Sequence, residues 1–151
     1  MSAPEPVKQL ILQKIFLKDA SLEVPLAPQI FTRPWQPQID VQVGTALQAL
    51  SADQHQVLLS VTVTAKLGAD VAFLAEVHQA GIFQLKGFDD ASTQKVLGTD
   101  GPNILFPFAR EALAELIQRG GFPQLLLQPV NFEALYQEHR ARSSEQTAKA
   151  H

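Results

Sequence analysis

Gln54-His55-Gln56-Val57-Leu58-Leu59-Ser60-Val61-Thr62-Val63-Thr64-Ala65-Lys66 alternates along its length. His55, Val57, Leu59, Val61, Val63 and Ala65 fall on one face, and Gln56, Ser60, Thr62, Thr64 and Lys66 on the other. Period two with β-branched residues marks a strand with one buried face. Before it, Ile39, Val41 and Val43 alternate with Asp40 and Gln42, and Ser51-Ala52-Asp53 is a turn signal. After it, Leu67-Gly68-Ala69-Asp70 reads as a hairpin turn into a strand from Val71 to Leu85. Three strands joined this way form an antiparallel meander.

Working outward, an earlier strand covers Gln9 to Glu23. Its first half is apolar on both faces (Leu10, Ile11, Leu12, Ile15, Phe16, Leu17), which places it inside a sheet or at an interface. Pro25, Pro28, Pro34 and Pro37 follow, so the connection is a long crossover and not a hairpin. A long return to a meander predicts a Greek-key-like sheet with the first strand beside the last. After the strands the period changes. A helix is predicted over Asn103 to Arg119, with Asn103 as N-cap, Gly120-Gly121 as its stop and a Glu115–Arg119 pair at i,i+4. Leu105, Phe106, Ala109, Ala112, Leu113, Leu116 and Ile117 cover about half its circumference, wider than a surface helix needs. Such a helix can touch both its own sheet and a neighbouring chain. Pro107 is placed near its first turn, where proline is tolerated. A short second helix runs from Asn131 to Arg140. Strands followed by helices define an α+β domain over residues 8–139, between a flexible leader (1–7) and a flexible polar tail (140–151).

The 151 residues suit one domain with a real core. Charged residues are 18% against a usual ~25%, so apolar surface is left to meet another chain or a ligand. A net charge of −3 gives no basic stripe for nucleic acid. With no cysteine, disulfides, zinc–thiolate sites and thiol nucleophiles are excluded. The N-terminus is not a signal peptide and no run approaches the ~20 apolar residues of a membrane span. A cytoplasmic protein without direct membrane insertion is expected.

The residues of catalysis are missing as a set. The histidines at 55, 78, 139 and 151 have no i,i+3 or i,i+4 partner, so neither metal nor cofactor is expected; His55 reads as a strand-end residue and His78 as a surface one. Asp89-Asp90 is a solvated loop pair. No phosphate loop or nucleophile elbow occurs. A small lyase or thioesterase built around a long helix would need a reactive group there, and the predicted helix offers only Glu111 and Glu115. Two other constellations stand out. Phe31, Pro34, Trp35 and Pro37 form an aromatic, proline-rich crossover leading to Ile39, Val41 and Val43. Trp35 there either offers apolar area to a ligand or pins the crossover to the sheet. Asp19 and Glu23, with Leu74 and Glu76, either form a negative patch, if the first and last strands are neighbours, or are scattered carboxylates on a solvated strand face, the reading the residues alone favour.

Ile15 to Pro25 with Ala27-Pro28, Trp35-Gln36-Pro37, Val61 to Ala65, Phe73 to Val77, Gly81-Ile82-Phe83, Pro102-Asn103-Ile104-Leu105-Phe106-Pro107, Arg119-Gly120 and Phe122-Pro123-Gln124-Leu125 through Asn131-Phe132 occur in order. From Gln9 to Tyr136 the chain resembles the SecB protein-export chaperones. That resemblance implies a four-stranded antiparallel sheet with one long and one short helix, in a homotetramer built as a dimer of dimers with the long helices between the sheets. It implies an ATP-independent, non-enzymatic chaperone that binds unfolded precursor proteins and delivers them to the SecA ATPase. A SecB-like chaperone dedicated to a toxin–antitoxin system is the alternative. Residue by residue, it implies SecA docking at Asp19, Glu23, Leu74 and Glu76, and client binding at Phe31, Trp35, Ile39, Val41 and Val43. For the oligomer interface, the wide helix face gives Leu105, Ala109, Ala112, Leu113 and Leu116. Family tails are often acidic, whereas Arg140, Arg142 and Lys149 make this one mildly basic.

Overall fold

The structure, a computed structural model, describes the backbone of residues 7–149 and the side chains of residues 7–143. Strands β1 (Gln9–Glu23), β2 (Gln38–Ala49), β3 (Gln54–Leu67) and β4 (Asp70–Lys86) form one sheet in the order β1-β4-β3-β2, every neighbour antiparallel. The meander and the return of the first strand to the last are both present. Gly68 and Ala69 make the β3–β4 turn; Gly68 has φ of 63° and Ala69 is not left-handed, the II′ arrangement that matches strand twist. The crossover carries a 3₁₀ turn over Gln29–Thr32. Arg33 ties it to that hairpin, donating to Asp70 at 2.9 Å and to the Leu67 carbonyl at 3.3 Å.

One sheet face is the core. Val57, Leu59, Val61, Val63 and Ala65, the apolar face read from the alternation, are all fully buried, as are Phe73, Ala75, Val77 and Phe83 of β4. β1 is an edge strand, which excludes the first of its two expected placements, inside the sheet. Ile11, on the outer face, is 40% exposed, and Leu12 and Leu17, opposite Phe83 and Gln79 on the helix side, are 38% and 48% exposed, so apolar surface is left open on both faces. Its register slips between Leu12 and Lys14 and between Leu17 and Asp19, bulges that bend an edge strand.

Helix α1 (Asp90–Arg119) starts thirteen residues before the predicted Asn103, at an N-cap formed by Asp89, whose carboxylate accepts the Ser92 N–H at 2.7 Å. That bond, with the charge itself fully exposed, holds the Asp89 carboxyl below the usual aspartate range. Pro102 and Pro107 therefore lie inside the helix, and Pro107 is not near its first turn. Each removes one i→i−4 bond. Tertiary packing compensates: Leu97, Gly101, Leu105, Ala109, Leu113 and Ile117, at i,i+4 spacing, form a buried stripe against the sheet. The helix ends where expected. Gly121, at φ 92°, donates to the Gln118 carbonyl at 3.0 Å, and Phe122 donates to Ile117 at 3.2 Å, with both Phe122 and Ile117 buried. These are the two bonds and the apolar contact of a Schellman stop. The Glu115–Arg119 pair forms at 2.8 Å.

Helix α2 spans Phe132–Lys149, longer than the predicted stretch to Arg140, so the segment read as a tail is helical through Lys149. Asn131 caps it, accepting from Ala134 at 3.0 Å. Phe132 meets Phe106 edge-on, ring centres 5.9 Å apart, and Tyr136 fits over Gly98, where an added Cβ would lie 2.7 Å from the ring. Of the predicted leader only Val7 lies within the described residues.

Candidate functional site

The sheet separates two surfaces. β1 and β4 are neighbours, and their register pairs Glu23 with Leu74, Ser21 with Glu76 and Asp19 with His78. Residues directly opposite in an antiparallel pair share a face, and this one is turned away from α1, because the intervening Ala75, Val77 and Gln79 are buried on the other side. Asp19, Glu23, Leu74 and Glu76 are thereby brought onto one outer surface. Glu76 is its most organised member. Its Oε1 receives the Thr62 hydroxyl at 3.2 Å from β3 and faces His78 Nε2 at 3.1 Å. The His78 contact first and Thr62 second hold the Glu76 carboxyl below the usual glutamate range, so it stays charged into mild acid.

The opposite face carries the apolar site. Ile39, Val41 and Val43 pair with Ala65, Val63 and Val61, which are fully buried, so all three side chains point to the helix side. They form one wall of a groove of about 420 Å³ whose other wall is the irregular segment Leu125, Leu126, Leu127, Gln128 and Val130, with Phe106 at its base. A second hollow of about 410 Å³ shares Val41, Val43 and Val130 and extends the groove to Ala134 and Leu135 of α2. Val41 (41%), Leu126 (68%) and, in the extension, Leu135 (38%) are its exposed apolar lining. The segment after α1 was missed because it has no period; its signal was the Leu125-Leu126-Leu127 run in a stretch unable to be a regular helix.

Phe31 and Trp35 do not line this groove. They stack with Phe73 and Phe122 at the end of α1: Trp35 lies 5.0 Å from Phe122 and 6.3 Å from Phe73, and Phe31 5.1 Å from Phe122. Phe73 and Phe122 are buried. Trp35 therefore pins the crossover, while Phe31, 48% exposed over Gly121, still offers an open ring.

The predicted oligomer residues need correction. Leu105 and Ala109 have no exposed area and Leu113 has 1%, all of it covered by the chain's own sheet. A second chain cannot reach them. Ala112 and Leu116 are half-buried, and the open apolar side of α1 is carried by Phe108, 43% exposed, with Ile104 partly exposed. Apolar width around a helix does not say which of its residues the chain's own core covers.

Among the described residues no group of three His, Asp or Glu side chains is arranged to hold a metal, and no helix is long and apolar enough to cross a membrane. The family profile described as preprotein translocase subunit SecB matches residues 3–143. The protein-export protein SecB of Hydrogenovibrio crunogenus is 47% identical over 147 residues, covering 97% of this chain and 99% of that one. That of Nitrosococcus oceani is 52% identical over 139 residues, covering 90% and 85%. A Mycobacterium tuberculosis SecB-like chaperone, solved with a peptide from the HigA1 antitoxin, shares the fold at 20% identity and a TM-score of 0.66, over 80% of this chain and 90% of that one. With nearly its whole length matched, this chain belongs to the SecB family.

Proposed function

We propose that this protein is an ATP-independent export chaperone of the cytoplasm, which holds unfolded precursors in the apolar groove and delivers them to SecA through the acidic outer face. The observation that carries the reading is the placement of the two surfaces on opposite faces of one sheet. A client buried against Ile39, Val41 and Leu126 leaves Asp19, Glu23 and Glu76 free to meet a partner. The groove has the right chemistry for clients without a fixed sequence. Aliphatic walls reward any apolar side chain, and β2, which ends the sheet, offers edge backbone groups to an extended chain.

Assembly into a homotetramer, a dimer of dimers, suits the apolar surface left over. Ile104, Phe108 and Ala112 on α1, and Leu12 and Leu17 on the helix side of β1, are where further chains would pack. Several grooves on one particle act on one long client together, so each can be weak. The groove needs no reactive group for this task. The relatives at 47–52% identity carry the export name, which favours export over service to a toxin–antitoxin pair.

The test is a refolding assay. An unfolded precursor diluted into buffer should stay unfolded and soluble when the protein is present, and the natively folded form should be ignored. Refolding at the unassisted rate, with no complex formed, would refute a holding function.

A further inference from the structure

We infer that Thr62 and His78 are positioning residues of the acidic docking surface, fixing one oxygen of Glu76 so that the other is presented to a cation on the partner. This rests on the SecA-docking reading of that face. Both contacts converge on Oε1: the Thr62 hydroxyl at 3.2 Å and His78 Nε2 at 3.1 Å. Oε2 is engaged by neither, and the Glu76 side chain is 43% exposed. A free surface glutamate samples many rotamers, and ordering it on binding costs affinity. A carboxylate held in advance avoids that loss and presents a fixed acceptor for a lysine or arginine.

The fold makes this arrangement specific. Thr62 is the direct cross-strand partner of Glu76, and His78 lies two residues along the same strand, hence on the same face. β-Branched Thr62 has few rotamers, so its hydroxyl is itself well placed. His78 also stands opposite Asp19 of β1.

The experiment measures SecA affinity for the whole protein and for Glu76→Gln, Thr62→Val, Thr62→Ser and His78→Gln variants, with binding of an unfolded precursor measured in parallel. Thr62→Val should weaken SecA binding by about threefold to tenfold, the scale of one lost hydrogen bond to a charged group. Thr62→Ser, which keeps the hydroxyl, should restore most of the affinity, and client binding should not move with either change. His78→Gln, which removes the imidazole contact to Oε1, should likewise weaken SecA binding and leave client binding unmoved. If Glu76→Gln binds SecA weakly while Thr62→Val and His78→Gln bind normally, docking stands and the positioning role is wrong. If Glu76→Gln itself binds like the native protein, the docking role of Glu76 fails, and the inference with it.

Discussion

Replacing Asp19 and Glu76 together by lysine should weaken SecA binding severely and leave client binding intact. Both side chains stand on the outer face, exposed or partly exposed and clear of the core, so the change reverses the surface charge without opening a cavity. The loss combines two charge-assisted contacts with new like-charge repulsion against a basic partner, and like-charge contacts cost several kcal/mol. An affinity loss of at least about a hundredfold is expected, since each 1.4 kcal/mol is roughly tenfold. It should shrink at high salt, because exposed charges are screened. Titration of each variant with SecA, and separately with an unfolded precursor, checks this. Equal loss of both activities would mean that one surface serves both partners.

Replacing Val41 and Leu126 by serine should have the opposite profile, with client affinity lowered and SecA binding kept. These two line the groove and are substantially exposed in the free chain, 41% and 68%, so their apolar area is available to a client. Burying a Val or Leu side chain is worth about 1.5–3 kcal/mol, and partial burial of both gives a loss between about tenfold and a hundredfold in client affinity. The choice of residues matters. Ile39 and Val43 also pack on the core, so polar substitution there would lower stability together with binding and confuse the result. A thermal melt of the Val41/Leu126 variant should match the native protein; a large fall in Tm, with binding lost only through unfolding, would place these residues in the core instead.

The strands were legible because alternation is a local property. Val57 to Ala65 announces one buried face by its own spacing, and Gly68 in a four-residue punctuation announces the turn. The pairing of β1 with β4 followed from elimination: a proline-rich crossover cannot close a hairpin with the next strand. Asp19, Glu23, Leu74 and Glu76 converge only when those strands pair, but the residues alone favoured scattered carboxylates, and their grouping as a docking surface came from the family resemblance. What was illegible depended on three dimensions. The first half of α1 contains Gly98, Gly101 and Pro102, which locally argue for a loop. Contact with the sheet overrides that preference: an added Cβ at Gly101 would lie 3.0 Å from Val57. Likewise, nothing in the apolar pattern of Leu105, Ala109 and Leu113 says that their own sheet, and not a partner chain, covers them. His78 looked like an ordinary surface residue until the register placed it beside Glu76 and opposite Asp19.

The most direct measurement is the mass, by light scattering on a sizing column, of complexes formed by the purified protein with an unfolded precursor and SecA. The prediction is a tetramer that holds the unfolded client, ignores its folded form, and forms a ternary complex when SecA is added. Displacement of client by SecA with no ternary complex would show that the two ligands share a surface, contradicting the separation of groove and acidic face by one sheet.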